Sequence, residues 1–222
     1  MVSAVFTAIR RVLAMWLLFG VVFMALILAG AVHGPWNYFW FFTMLCWAVL
    51  DTYWAVAAVD TAPAIPISRP AAFLLLSIYA LYCLPLSSVP LLGQRLMPRS
   101  PALGLLGAFL CAFGVGFAIW ARRVLARSWS PAWTAAVTLR DGHRLVQAGP
   151  YALVRHPIYF GLLTAAIGMV MVLGEVRALG LLFGIQVLLT KMGKEETVLR
   201  TTFPDEYPEY ERRVKRLLPW IW

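Results

Sequence analysis

Polar and aromatic side chains that could bind a ligand are concentrated between residues 149 and 161, directly before a long apolar run. This segment, GPYALVRHPIYFG, contains two tyrosines, an arginine and a histidine. Polar groups at this density beside a hydrophobic helix are costly to hold there unless they bind something. The segment is therefore the first candidate for a functional site.

The His156-Pro157 pair predicts how the backbone runs through this segment. Proline disfavours helical geometry in the residue before it and suits the first position of a helix. We therefore expect a helix from Pro157 onward, with Arg155 and His156 on the loop that leads into it. The corner between Tyr151 and Tyr159 would then expose free N–H groups and the positive end of a helix dipole, which suit an anion.

A second group of ionisable residues follows an apolar run nearer the C-terminus. It contains Lys191, Lys194, Glu195 and Glu196. Adjacent glutamates on a helix point about 100° apart, so one could bind a cation while the other faces solvent. The alternative is an ordinary solvated helix with a weak Lys191–Glu195 pair, worth ~0.2–0.5 kcal/mol. These residues alone leave both interpretations open.

The composition is typical of a membrane protein with several spans. Of the 222 residues, 62% are hydrophobic and 13% are charged, against about 45–50% and 25% in soluble domains. We predict an all-α, polytopic integral membrane protein with five to six transmembrane helices, forming one domain over residues 1–222. A helix needs ~20 apolar residues to cross a bilayer. The predicted apolar helices are 12–30, 36–59, 71–92, 102–122, 157–173 and 178–190.

The charge pattern predicts an orientation. Most of the arginines and lysines behind the net charge of +9 fall on one side of six spans. The positive-inside rule then places both termini and the Tyr151–Tyr159 corner in the cytoplasm. We expect the membrane to be a bacterial inner membrane in preference to the endoplasmic reticulum. The first run is interpreted as a retained helix, although Ala29-Gly30-Ala31 imitates a signal-peptide cleavage site.

Three further patterns are given a structural interpretation. The repeat of Gly104, Ala108, Ala112 and Gly116 predicts a helix-packing face. Asp51 within the second run is a functional candidate, but a position close enough to the membrane surface to reach it is the simpler explanation. The cysteines, which are Cys46, Cys83 and Cys111, are far apart in apolar runs and predict neither disulfides nor a metal site. Nucleic-acid binding is not expected, because no known binding motif is present.

The two candidate clusters together resemble a known family. The pattern Gly149-Pro150-Tyr151, Arg155-His156-Pro157-x-Tyr159-x-Gly161, Glu195-Glu196 and Phe203-x-x-Glu206-Tyr207-x-x-Tyr210-x-x-Arg213-Val214 is similar to that of the isoprenylcysteine carboxyl methyltransferases. The resemblance covers roughly the last 95 residues, from Ser128 onward. The apolar runs predict transmembrane helices one to four in residues 1–127, and the resemblance implies a cofactor-binding catalytic part with a helical hairpin in residues 128–222.

The resemblance also implies an activity and a set of site residues. The activity is S-adenosylmethionine-dependent methylation of a lipophilic, membrane-associated substrate with a carboxylate as acceptor, in a cytoplasmic pocket built from the C-terminal half. Leu145 and Val146 would offer backbone to the adenine, and Glu195 would hold the polar end of the cofactor, with Glu196 as its possible substitute. The other implied cofactor contacts are His143, Arg144, Tyr151, His156, Pro157, Ile158 and Tyr159. Candidate catalytic residues are Arg155, His156 and Lys191.

Two departures from the family pattern bear on the substrate. The family is expected to carry an arginine one turn before the cofactor glutamate, where this chain has Lys191. A lysine lacks the bidentate fork of arginine, which makes prenylcysteine a doubtful substrate. No glutamine is found near Ala136, where the family would provide another cofactor contact.

Other functions are consistent with parts of the pattern. NADPH-dependent membrane sterol or enone reductases share a similar Arg-His-Pro-x-Tyr element, but adjacent carboxylates would repel a phosphate-bearing cofactor. A phospholipid or amine N-methyltransferase and a non-enzymatic scaffold or transporter are further alternatives. The expected partners are a lipophilic small molecule from the bilayer and membrane lipids, without a metal.

Overall fold

The computed structural model describes residues 36–59, 94–126, 145–176 and 180–219, together with single positions 10, 16, 17, 20, 21 and 221. Its α-helices are α1 (Trp36–Val59), α2 (Pro101–Ala126), α3 (Pro157–Leu173), α4 (Gly180–Thr202) and α5 (Glu206–Arg213), and a 3₁₀ helix spans Gly149–Ala152. The described residues contain isolated β-bridges but no strand, so the all-α prediction is confirmed for them. Most of the predicted helix 12–30 and all of 71–92 lie outside them.

The predicted helix limits agree with the structure in α1, α2 and α3 but not in α4. The sixth apolar span was expected to end near Thr190, and α4 continues beyond it to Thr202. No proline interrupts residues 191–202, and Pro204 comes just after the last turn. Proline disfavours helix in the residue before it, so the helix ends there and not where its hydrophobicity falls. Lys191, Glu195 and Glu196 consequently lie on the same rigid helix.

Helices α2 and α3 are antiparallel and in backbone contact. A Cβ added to Gly161 would lie 2.6 Å from the carbonyl oxygen of Gly114, and one added to Gly107 would lie 2.6 Å from that of Gly168. Small residues allow such close approach. The predicted packing face of α2 is therefore partly wrong. A Cβ added to Gly116 would meet nothing within 4 Å, because the contact with α3 lies along the face that contains Gly107 and Gly114.

The core joins these helices to the end that carries the candidate site. One cluster of buried side chains brings together α1, α2, α3, α4 and the C-terminal segment, through Leu50, Cys111, Val115, Ala118, Tyr159, Leu162, Ala165, Met192 and Leu217. Because Tyr159 and Met192 belong to the same cluster, the start of α3 and the middle of α4 are held against each other.

The opposite end of α3 is closed by the segment before α2. Gly174 adopts a left-handed conformation with φ of 60° and ends the helix, as C-terminal glycines commonly do. Its carbonyl oxygen accepts hydrogen bonds from the backbone N–H groups of Leu96 and Met97, and Arg95 pairs with Glu175 in a β-bridge.

Among the described residues, Pro101–Leu125 forms one helix that is long and apolar enough to cross a membrane.

Candidate functional site

The loop before α3 has the backbone conformation that the sequence predicts. His156 is the residue before the helix and Pro157 occupies its first turn. The C-terminal segment pairs with this loop, since Val154 and Lys215 form a parallel β-bridge. The N–H of Arg155 donates to the carbonyl of Lys215 at 2.8 Å, and that of His156 donates to the carbonyl of Arg216 at 3.0 Å. These backbone hydrogen bonds therefore hold the loop against the C-terminal segment.

The structure brings four of the predicted site residues into one cluster. The Tyr159 hydroxyl donates a hydrogen bond of 2.5 Å to Oε1 of Glu195, and Nδ1 of His156 lies 3.7 Å from Oε2 of the same carboxylate. The His156 and Tyr159 rings stack with centroids 5.6 Å apart. Lys191 Nζ lies 5.7 Å from the centre of the Tyr159 ring. A partly accessible carboxylate, an aromatic face, an imidazole and an ammonium therefore meet where α3 begins.

The neighbouring carboxylate, Glu196, has a different environment. It is 3% exposed, and its Oε1 atom lies 3.1 Å from Nη2 of Arg155 and 3.0 Å from Nε2 of His156. The guanidinium of Arg216 reaches both oxygens, with Nη2 2.9 Å from Oε2. Burial by itself raises the pKa of Glu196, but the hydrogen bond with His156 and the nearby charges of His156, Arg155 and Arg216 lower it to about 2. Glu196 is thus an ionised, internally neutralised group.

The tyrosines of the C-terminal motif have mainly a packing role. Tyr207 and Tyr210 are buried on α5, and the Tyr210 hydroxyl donates to the carbonyl of Tyr151 at 2.7 Å. Tyr151 is buried as well, and its burial, together with the nearby Tyr210 and Glu195, raises its pKa far above the usual range. These contacts hold the 3₁₀ helix and α5 together behind the cluster.

The remaining predicted site residues are Leu145, Val146, Pro157, Ile158, His143 and Arg144. Leu145 and Val146 are half-buried in an irregular segment before the 3₁₀ helix, which is tied to α5 by a hydrogen bond of 2.9 Å from Arg213 to Gln147. Pro157 is fully buried, and Ile158 packs against the main core. His143 and Arg144 lie outside the described residues. Asp51 is half-buried in α1, and its role stays a prediction.

Arg122 was not among the predicted site residues. It is 6% exposed near the end of α2, and its guanidinium lies 5.6 Å from the Trp54 ring centre. Among the described residues, its Nε atom has no hydrogen-bond partner. The signal available in the sequence was an arginine at the end of an apolar run, a position that ionisable residues rarely occupy without a function.

Arg216 was also missed. In the sequence it is one of four basic residues in the segment 212–216, and nothing in that pattern distinguishes it from Arg212, Arg213 or Lys215. Only its backbone pairing with His156 directs its side chain to Glu196.

A depression among the described residues lies away from this site. A depression of about 390 Å³ is lined by Arg95, Leu96, Met97, Pro98 and Arg99, at the end of α3 away from Tyr159. With 1.5 Å of rise per residue, the 17 residues of α3 separate the two ends by about 25 Å. The candidate site is identified by its cluster of side chains.

Comparison with known proteins relates part of this chain to a protein family. Residues 110–201 match the sequence model of the isoprenylcysteine carboxyl methyltransferase family, a range that contains the corner, α3 and most of α4. This part of the chain is therefore similar to that family. Within this range lie Tyr159, Lys191, Glu195 and Glu196, so the isoprenylcysteine carboxyl methyltransferase match and the side-chain cluster coincide.

Individual relatives agree with the family match over a limited length. A probable protein-S-isoprenylcysteine O-methyltransferase of Oryza sativa subsp. indica is 36% identical over 83 residues, which is 36% of this chain and 44% of that protein. A protein-S-isoprenylcysteine O-methyltransferase of Schizosaccharomyces pombe is 37% identical over 82 residues, or 36% of this chain and 34% of that protein. The chain thus matches less than half of the length of each relative.

The fold also has a solved counterpart. The structure of a eukaryotic intramembrane Ras methyltransferase, isoprenylcysteine carboxyl methyltransferase, superposes with a TM-score of 0.53 at 19% identity, covering 81% of this chain and 68% of that one. At this identity the similarity concerns the fold. The methyltransferase interpretation is favoured over the reductase, because the family model and the relatives that match by sequence are those of methyltransferases.

Proposed function

We propose that this protein is an S-adenosylmethionine-dependent methyltransferase that acts on a lipophilic carboxylate delivered from the bilayer. The observation that carries the proposal is the cluster of Glu195, Tyr159, His156 and Lys191 at the start of α3. It lies inside the range that matches the family. A cationic cofactor and an anionic acceptor would find complementary groups there.

The residues of the cluster fit this cofactor. The side chain of Glu195 is 17% exposed, whereas Glu196 is surrounded by four basic side chains, so Glu195 is the carboxylate able to receive an ammonium group. The face of an aromatic ring attracts cations, which suits Tyr159 to a sulfonium. The buried Arg122, whose Nε atom has no hydrogen-bond partner among the described residues, is a candidate for binding a carboxylate.

Each side chain then has a defined task in the reaction. When bound, S-adenosylmethionine supplies an electrophilic methyl group, whose S–CH₃ bond breaks with the electron pair passing to sulfur as the new O–CH₃ bond forms. Lys191 would hold the acceptor carboxylate, and Glu195 and Tyr159 would fix the donor against it. Alignment of this kind contributes strongly to rate. A carboxylate acceptor requires no proton transfer, whereas an amine acceptor would require His156 as base.

The acceptor class is inferred from Lys191 and from the relatives. The names of the two relatives specify S-isoprenylcysteine on proteins. Lys191 offers a point charge in place of a guanidinium fork, so we propose a lipophilic small-molecule acid for this chain and retain lipidated protein as the test case. Phospholipid or amine methylation would be the outcome if only amine acceptors were labelled.

We further propose five to six membrane spans with both termini and the site in the cytoplasm, in a bacterial inner membrane. Large exposed apolar side chains on α1 and α2 support contact with lipid, and the opposite ends of α3 carry the site and the Arg95–Arg99 segment. Impermeant thiol reagents on intact cells should therefore label Arg99→Cys and leave Lys194→Cys unlabelled. The reverse pattern would contradict this orientation.

The activity itself is tested by ligand binding and by transfer of label. Purified protein in detergent should bind S-adenosylhomocysteine in calorimetric titration, and it should move radiolabelled methyl groups from S-adenosylmethionine to an acid in host membrane extract. S-farnesylcysteine derivatives serve as the comparison acceptor. Binding of NADPH without any response to S-adenosylhomocysteine would refute the methyltransferase and favour the reductase.

A further inference from the structure

Glu196 is oriented by side chains from three different segments. Arg155 and His156 come from the loop before α3, and Arg216 comes from the C-terminal segment. Arg200, one turn later on α4, lies 3.7 Å from Oε2. Since both carboxylate oxygens are engaged and the residue is buried, Glu196 is available to orient its neighbours and not to bind a ligand.

The ionised state of Glu196 determines which nitrogen of His156 carries the proton. A carboxylate can only accept hydrogen bonds, so the 3.0 Å contact between its Oε1 and Nε2 of His156 requires a proton on Nε2. In the neutral imidazole, Nδ1 is then the nitrogen with the lone pair. Nδ1 lies on the side of Glu195, 3.7 Å from its Oε2.

The C-terminal segment contributes to this arrangement through a fixed register. The backbone of Arg216 accepts the hydrogen bond from the N–H of His156, while its side chain contacts both carboxylate oxygens of Glu196. Arg155 adds hydrogen bonds to the carbonyls of Glu211 and Val214 at 3.0 and 2.9 Å. One short segment therefore positions both His156 and the carboxylate that selects its tautomer.

We propose that Arg216 is a positioning residue of the site, which acts through Glu196 to keep His156 in the Nε2–H tautomer with Nδ1 directed towards Glu195. This inference rests on the proposed function for its consequence, because the same side of the ring would face the cofactor and the acceptor. The tautomer itself is independent of that function.

The test uses the full-length protein with ¹⁵N-labelled histidine in detergent micelles. The chain has three histidines, and a His156→Gln variant assigns the ring signals of interest. At a pH where the imidazole is neutral, wild-type protein should show Nε2 protonated, and Arg216→Gln should show a mixture of tautomers. Arg216→Lys should restore the wild-type spectrum. Lys215→Gln, which removes the same charge from an exposed neighbouring side chain, should not change it.

A binding measurement distinguishes positioning from general loss of structure. Arg216→Gln should weaken S-adenosylhomocysteine binding by about tenfold, at the lower end of the 10- to 100-fold effects seen when a partner that orients a binding residue is removed, and Arg216→Lys should recover most of it. Identical histidine spectra in wild type and Arg216→Gln would overturn the inference. A wild-type spectrum with Nδ1 protonated would do so even if Arg216→Gln did not fold. Absence of S-adenosylhomocysteine binding by wild type would refute only the proposed function.

Discussion

The Tyr159 hydroxyl donates its hydrogen bond to Glu195 across 36 positions of the chain, over a distance of 2.5 Å. The two residues lie on different helices, α3 and α4, and the shared core cluster of Tyr159 and Met192 holds these helices together. A carboxylate oriented by a phenol, with its second oxygen near an imidazole, is prepared to receive a cation.

Glu195→Gln should weaken S-adenosylhomocysteine binding at least tenfold, because losing one partner of a shielded charged pair typically costs about 2–5 kcal/mol. Calorimetric titration measures the effect. The control is Glu209→Gln, which removes a carboxylate that is 63% exposed on α5 and should leave affinity unchanged. Unchanged affinity in Glu195→Gln would contradict its proposed role in holding the cofactor.

Lys191→Ala should raise KM for the acceptor acid and leave the affinity for S-adenosylhomocysteine within about threefold, because its ammonium lies over the Tyr159 ring and is proposed to hold the acceptor alone. An exposed charge pair of this kind contributes roughly 0.2–1 kcal/mol, or up to about fivefold; a shielded one contributes more. Steady-state kinetics with varied acceptor provide the measurement. Lys194→Ala, with an exposed side chain on the same helix, is the matched control. Parallel loss of both affinities would place Lys191 in the cofactor site.

The low pKa of Glu196 predicts a loss of stability in acid. A carboxyl whose pKa is lowered on folding stabilises the folded state above its unfolded pKa, and that contribution is lost as the pH falls through the folded value. With an ordinary carboxyl pKa of 4.5 and a folded pKa of about 2, the contribution is about 3 kcal/mol and disappears between about pH 5 and 2. The free energy of unfolding in detergent should fall over this interval.

The dependence should flatten in Glu196→Gln, which carries no titrating group at this position. Glu206→Gln, with an exposed side chain, should retain the wild-type slope. An unchanged slope in Glu196→Gln would show that other carboxyl groups cause the loss.

The contact between α2 and α3 predicts a sharp difference between two glycines. Gly168→Ala would place a Cβ 3.1 Å from the Cα atom of Cys111 and closer still to its backbone nitrogen. Overpacking of this kind costs about 1–3 kcal/mol, so the thermal midpoint should fall by several degrees. Gly116→Ala, where the added Cβ meets nothing within 4 Å, should be neutral or slightly stabilising. Equal midpoints for the two variants would contradict the packing described.

The sequence by itself determined the local features of this protein. Apolar runs of bilayer length located α1, α2 and α3, and the His156-Pro157 pair located the start of α3, because proline acts on the residues next to it. The motif residues Tyr159, Glu195 and Glu196 were also identified, because the types of residues and their spacing can be read directly from the sequence. Hydrophobicity predicted the apolar part of α4 but not its end at Thr202, because the helix continues beyond the apolar run until proline stops it.

Only the tertiary structure decided what depends on distant pairs. It distinguished Glu195 from Glu196, which are adjacent in sequence but face different neighbours, and it brought Arg216 to His156 through backbone pairing of the C-terminal segment. It also moved the packing face of α2 from Gly116 to Gly107 and Gly114. A sequence gives the period of a helix but not the rotation that faces its partner, and it does not show which of several similar charges will be neutralised when remote segments meet.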